Sequence, residues 1–269
     1  MPPVIGVITN NQHMIFQRLV IAGCRSIAEL QGYSVVVDSL AENPDEPRPV
    51  SLNPRDVDGF LIVANAAPHE FLQQTHRFGK PVSLVSHRID DLPIPSVVFN
   101  NVQGIREMVR HLIVDCKRSK LVFIRGIAEQ FDSIQREHTF EQELMRYNLH
   151  DAQSIRGDYS AEVAVDSLRE FVAQGHEFDG IVAADYVMAR AAVSALREMG
   201  IKVPEQVSVV GFGDAPETRA AGITTVAADV EELGERAGRQ LISQIQGLRI
   251  LGVTTLAVRL IVRETSCAV

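Results

Sequence analysis

Residues 178–216 read FDGIVAADYVMARAAVSALREMGIKVPEQVSVVGFGDAP. Ile181 to Ala184 is a short apolar run behind Asp179-Gly180. From Val187 to Met199 apolar residues recur at helical spacing, and Gly200 follows, a residue suited to the left-handed position that closes a helix. Val203-Pro204 breaks the chain, and Val207 to Phe212 is a β-branched run ending in Gly-Phe-Gly-Asp. Strand, helix and strand in this order make a parallel βαβ unit. It delivers polar groups, Asp185 and Asp214, where its strands end. In open α/β sheets, ligands bind beyond those carboxyl ends.

The alternation extends in both directions. Val4 to Thr9 is a strand, followed by an amphipathic helix with Phe16, Val20, Gly23 and Ile27 on one face. Gly32 ends that helix, and Tyr33 to Val37 is the next strand. Asn43 to Pro54 carries four prolines and reads as a loop. Phe60 to Ala64, Val82 to Ser86 and Val97 to Phe99 are strands, and Gln103 to Asp115 is a helix. The pattern then restarts with a strand at Leu121 to Ile124, a helix at Gln135 to Tyr147 and an extended pair at Ser154-Ile155. Ser160 caps a helix to Ala173. Asp229-Val230-Glu231-Glu232 has capping-box spacing and opens a helix to Gln246, and Leu256 to Val262 is the last strand. The fold class is therefore α/β, with two doubly wound, Rossmann-like parallel-sheet lobes. The expected division is 1–115 plus 230–257 for the N-terminal lobe and 116–229 plus 258–269 for the C-terminal lobe.

Composition narrows the function. Of 269 residues, 46% are apolar and 22% charged, ordinary for a globular protein. Trp is absent and aromatics are 6%, so aliphatic side chains must build the core. The net charge is −8, which opposes the phosphate neutralisation that duplex DNA binding requires. Cys24, Cys116 and Cys267 show no metal-ligand spacing and read as thiols in a reducing compartment. No signal peptide or membrane-length apolar run is visible, so a cytoplasmic location without membrane contact is expected.

Residues 184–214 also resemble a family. The lactose-repressor/galactose-repressor regulators carry Ala-Asn-Asp-x-Met-Ala, a helix, then Val-Pro-x-Asp-Val-Ser-Val-Val-Gly-Phe-Asp-Asp. Here the same spacing holds Ala184-Asp185-Tyr186-Val187-Met188-Ala189 and Val203-Pro204-Glu205-Gln206-Val207-Ser208-Val209-Val210-Gly211-Phe212-Gly213-Asp214. Val98-Phe99-Asn100-Asn101-Val102-Gln103-Gly104, Ile223-Thr224-Thr225-Val226 and Arg263-Glu264-Thr265-Ser266 resemble further family stretches. The resemblance implies a type I periplasmic-binding-protein-like effector domain that takes a small, often sugar-like ligand between its lobes.

Carried over by position, Arg136 is the expected donor to ligand hydroxyls or a carboxylate, although an ordinary surface Arg is the bland alternative. Asp132 falls on a cleft-lining loop. Asp185 replaces the family's Asn and is expected to face Arg136 across a solvent-filled pocket. Tyr159 matches an aromatic that stacks on sugar rings, with core packing the alternative. Asn10 and Gln103 match polar positions of the first lobe, and Phe16 an apolar wall or a core residue. Gly213 stands where the family has an Asp that bonds two sugar hydroxyls. A ligand other than a simple hexose, larger or anionic, follows.

The implied partners are a small-molecule effector and a second copy of the chain, with DNA reached only through a helix-turn-helix module that these residues do not contain. No cofactor and no metal is expected. A sensor domain ahead of a diguanylate cyclase or histidine kinase is the alternative, and a solute-binding protein is less favoured. Catalysis finds no support: Gly211-Phe212-Gly213 does not complete a dinucleotide fingerprint, and no phosphate loop or nucleophile elbow is present.

Overall fold

A computed structural model describes residues 2–40 and 49–267. The first part of the loop read at Asn43 to Pro54 lies outside the described residues. The chain divides into two compact units, Met1–Phe99 with Asp229–Leu256 and Asn100–Ala228 with Ala257–Val269.

In the first unit the strands are β1 (Val4–Thr9), β2 (Ser34–Ser39), β3 (Gly59–Val63), β4 (Val82–Val85) and β5 (Ser96–Phe99). The helices threaded between them are α1 (Ile15–Leu30) and α2 (His69–Arg77). A later strand, Val253–Leu256, joins the same sheet beside β5, giving a fully parallel order with β2 at the opposite edge. Its return helix, Val230–Ile245, packs on α1. A Cβ added to Gly23 would stand 2.1 Å from the Glu231 carbonyl oxygen, and one on Gly234 would stand 2.1 Å from that of Val20. The small residues Gly234, Ala237 and Gly238 are therefore used inside this unit.

The second unit opens with α3 (Asn101–Arg110), which continues as one π-helical turn at His111–Asp115. Its strands are β6 (Leu121–Arg125), β7 (Gln153–Arg156), β8 (Gly180–Ala183), β9 (Ser208–Phe212) and β10 (Thr224–Ala227). They alternate with α4 (Phe131–Arg146), α5 (Ala161–Ala173), α6 (Tyr186–Glu198) and α7 (Pro216–Ala220). In chain order the return helix Val230–Ile245 is α8, Val253–Leu256 is β11 and the closing strand Arg259–Ile261 is β12. The sheet order is β12-β10-β9-β8-β6-β7, parallel except for antiparallel β12.

The α/β class and the parallel sheets are as expected. α6 closes in the predicted way: Gly200 has φ +76°, its N–H donates to Arg197 and that of Ile201 to Leu196. Ser160, Asp185 and Asp229 cap α5, α6 and α8 with their side chains. Residues 100–115 belong to the second unit, not the first. The reason is packing: Asn101 bonds Asp132, Arg106 pairs with Glu143 at 2.8 Å, and Gly104 lies under the Phe212 ring. The single strand expected at Leu256 to Val262 is two strands, one in each sheet, because the chain leaves the first unit after Leu256. Helix α2 escaped the sequence reading because only Leu72 and Thr75 of its nine residues are buried. Val203-Pro204 is a cis peptide.

Candidate functional site

The carboxyl ends of the second sheet gather the chemistry. β6 leads into the first turns of α4, which carry Asp132 and Arg136. β7 leads to Tyr159, β8 to Asp185 and β9 to Gly213. The first residue of α3, Asn101, joins them.

Arg136 is the hub and is only 6% exposed. Its Nε donates to Asn101 Oδ1 at 2.9 Å, and its Nη1 donates to the Ala184 carbonyl at 2.7 Å. Its Nη2 lies 3.5 Å from Asp132 Oδ2. The guanidinium also sits 3.9 Å above the Phe212 ring, a desolvated cation–π contact. Asn101 Nδ2 donates in turn to Asp132 Oδ1 at 2.8 Å and to Gln135 Oε1 at 3.0 Å. Three of the guanidinium's five N–H groups are thus held by its own unit, so the fork is oriented before any ligand arrives.

Asp185, expected to face Arg136 across a pocket, makes no ion pair with it among the described residues. It caps α6, accepting from the Met188 N–H at 2.8 Å, and Arg136 bonds instead to the carbonyl of the residue before it. The residue is half-buried, but its carboxyl is desolvated, and that pushes its pKa from the usual 3.8 up to about 6. The Met188 N–H and Arg136 oppose the rise without cancelling it.

Tyr159 has φ +58°, a left-handed conformation rare for an aromatic residue. The hydroxyl end of its ring is packed against Gly126, where an added Cβ would come within 2.2 Å of Cζ. Burial raises its phenol above the ordinary range. The Ser133 hydroxyl is near enough to act on that titration, yet neither oxygen reaches a partner in hydrogen-bond geometry. Buried polar atoms without partners are uncommon, and each calls for an explanation.

Gly213 has φ +103°, and a Cβ there would meet the Tyr186 ring at 2.8 Å. An aromatic edge thus borders the position where the family carries a carboxylate. Asp214 turns to Arg263 at 2.7 Å and Arg219 at 2.9 Å.

The remaining expected residues fare differently. Asp132 is on the first turn of α4 rather than a loop, because that helix starts four residues earlier than its apolar spacing suggested. Gln103 belongs to the second unit and is used locally, donating to Glu107 Oε1 at 2.8 Å and accepting from Asn100 at 3.2 Å. Asn10 follows β1 and Phe16 opens α1, both half-buried in the first unit. Asn101 and Phe212 were missed, although both lie in the family-like stretches. Two surface depressions, lined by residues of 88–96 and 251–253 and by residues of 153–176, touch none of the expected site residues.

The cysteines correct another expectation. Cys116 and Cys267 form a disulfide across 151 residues, and only Cys24 is free. Burial pushes the Cys24 thiol up to about 12, which makes it inert.

Two largely parallel sheets, the second with a buried polar cluster at its carboxyl ends, define an α/β protein of the open-sheet kind. The periplasmic binding protein-like domain family matches residues 109–266, and the chain belongs to that family. It is 24% identical to the lactose operon repressor of Escherichia coli (strain K12) over 269 residues, covering 98% of this chain and 74% of that one. It is 25% identical to the HTH-type transcriptional repressor CytR of the same strain, covering 86% and 69%. The fold matches the lac repressor dimer bound to operator and the anti-inducer ONPF with TM-score 0.85 at 23% identity, covering 100% and 95% of the two chains. It matches a LacI transcriptional regulator from a Rhodococcus species with TM-score 0.84 at 21% identity, covering 98% of each. The resemblance read from residues 184–214 is borne out: the similarity runs to repressors of the lactose-repressor kind. Among the described residues no helix is long and apolar enough to cross a membrane.

Proposed function

We propose that the chain is the effector-sensing part of a cytoplasmic transcriptional regulator that works as a homodimer. It takes a small, hydroxyl-bearing, sugar-like molecule into the interlobe cleft that the family implies. Any DNA contact is made through a helix-turn-helix module and not through these two units. The observation that carries the reading is the Arg136 cluster: a pre-oriented guanidinium flanked by Asn101, Asp132 and Asp185, with the unpartnered Tyr159 and Ser133 hydroxyls beside it.

The charges select among ligands. Arg136 is already faced by Asp132 and by the partly desolvated Asp185. A dianion would meet two carboxylates against one guanidinium, so a neutral polyol is favoured over a sugar phosphate. Gly213 supplies no side-chain acceptor and its carbonyl is taken by Thr225 Oγ1, while Tyr186 supplies an apolar edge, so the ligand presents a ring or alkyl face there.

The test is a thermal-shift screen of neutral sugars, nucleosides, sugar phosphates and carboxylates. A neutral, ring-bearing compound is expected to give a saturable rise in melting temperature. Repeating the hit with Arg136→Lys, which keeps the charge and loses the fork, is expected to weaken binding at least tenfold. A hit equally strong in that variant would remove Arg136 from the site. Preference for a dianion would overturn the charge argument.

A further inference from the structure

We propose that His111, Cys116 and Cys267 form a thiol-gated site for a thiophilic divalent cation of the Zn²⁺ class. The inference is independent of the effector site. Among the described residues, the His111 ring nitrogen and the two sulfurs lie within 4.8 Å of one another.

The π-helical turn at His111–Asp115 assembles the group. The Cys116 N–H donates to the His111 carbonyl at 3.0 Å, a five-residue step that brings Cys116 back over the ring. Its sulfur is then 3.5 Å from His111 Nε2. The other end is equally fixed. Thr265 exchanges hydrogen bonds with Val209 at 2.7 and 2.8 Å, and Ser266 Oγ lies 2.7 Å from Thr224 Oγ1. This places Cys267 beside Cys116, its N–H 3.3 Å from the Cys116 sulfur.

The histidine is prepared as a ligand. His111 is 1% exposed, and its Nδ1 stands 3.1 Å from Asp115 Oδ2. In the neutral tautomer that donates from Nδ1 to Asp115, Nε2 is the nitrogen left with a lone pair for a metal. Nε2 faces Ser266 Oγ at 2.8 Å and the sulfurs. A carboxylate behind a histidine is the usual outer support of a metal-bound imidazole. Two thiolates and one imidazole satisfy a tetrahedral Zn²⁺ at three positions, leaving the fourth for the Ser266 hydroxyl or water.

The bridge and the cation exclude each other. Two molecules of a low-molecular-weight thiol reduce the disulfide, giving up two electrons and two protons and forming their own disulfide. The cation then binds both sulfurs and releases the two thiol protons. On reduction the sulfurs must part to roughly 3.8 Å, the edge of a tetrahedron with metal–sulfur bonds of about 2.3 Å. Side-chain rotation suffices, since the two Cα atoms are 5.2 Å apart.

The experiment uses the full chain, reduced with a phosphine, freed of the phosphine and titrated anaerobically with Co²⁺ and then Zn²⁺. The expected result is one Co²⁺ per reduced chain with a thiolate charge-transfer band, displaced by Zn²⁺, and no stoichiometric uptake by the oxidised chain. His111→Gln is expected to bind at least tenfold more weakly. The oxidised wild type is the folded control should Cys116→Ser/Cys267→Ser fail to fold. Reduced chain that takes up no more metal than the oxidised form would overturn the site. So would unchanged affinity in His111→Gln, or loss of structure on reduction that Zn²⁺ does not restore.

Discussion

Asp185 illustrates how one buried carboxyl ties stability to pH. Its pKa is about 6 in the folded chain against the usual 3.8. Between those values the folded state holds the proton that the unfolded state has released. Lowering the pH through this window therefore stabilises the fold through this group, and above pH 6 the buried charge is destabilising by on the order of 3 kcal/mol. Asp185→Asn keeps a capping acceptor for α6 and removes the charge. It is expected to raise unfolding stability by about 1–3 kcal/mol at pH 7.5, with an advantage that shrinks at pH 5 and vanishes towards pH 4. Urea melts at the three values check this, and an advantage independent of pH would show that the carboxyl is solvated. Arg136 was legible from its motif position, but its partners were not. Asn101 is 35 positions away and Ala184 is 48, and nothing local announces such contacts. Asn101 sits in the quoted stretch beside Gln103, and no sequence signal says which of the two turns towards Arg136.

The end of α6 and the caps of α5 and α8 were readable because their signals are local, whereas the start of α4 and the whole of α2 were not. Gly200 takes the left-handed turn, and Ser160 and Asp229 accept from the backbone three residues on. Packing between elements was less so. Gly234 and Gly238 let a neighbour approach closely, and the structure shows that neighbour to be α1. Gly234→Ala drives a methyl into the Val20 carbonyl, so α1 and α8 must separate. The expected loss is about 1–3 kcal/mol or more, as for other overpacked cores. Gly200→Ala meets no atom within 4 Å and loses only the left-handed preference, about 1 kcal/mol. Thermal melts of the two variants compare them directly, and equal losses would mean that the α1–α8 contact relaxes freely. The Cys116–Cys267 pairing was not readable at all, since a separation of 151 residues leaves no local trace.

The repeated βα alternation announced two parallel-sheet units, and the large displacement of a crossing point is where α3 packs into the second unit, the other two moving by one residue. The proposed homodimer cannot use the small-residue face of α8, which is buried against α1. Sedimentation at tens of micromolar is expected to give twice the chain mass, and a monomer there would count against the regulator reading. Net charge −8 predicts that these residues do not bind duplex DNA specifically, and sub-micromolar, sequence-selective binding in a mobility shift would contradict this. The decisive measurement is a calorimetric titration of the screened ligand into wild type, Arg136→Lys and Tyr159→Phe. The account predicts one site per chain, a loss of at least tenfold in Arg136→Lys, and a two- to tenfold loss in Tyr159→Phe with no loss of stability, about 0.5–1.5 kcal/mol for one hydroxyl bond. Saturable binding with the same affinity in all three proteins would contradict it, because the ligand would then sit away from the Arg136 cluster.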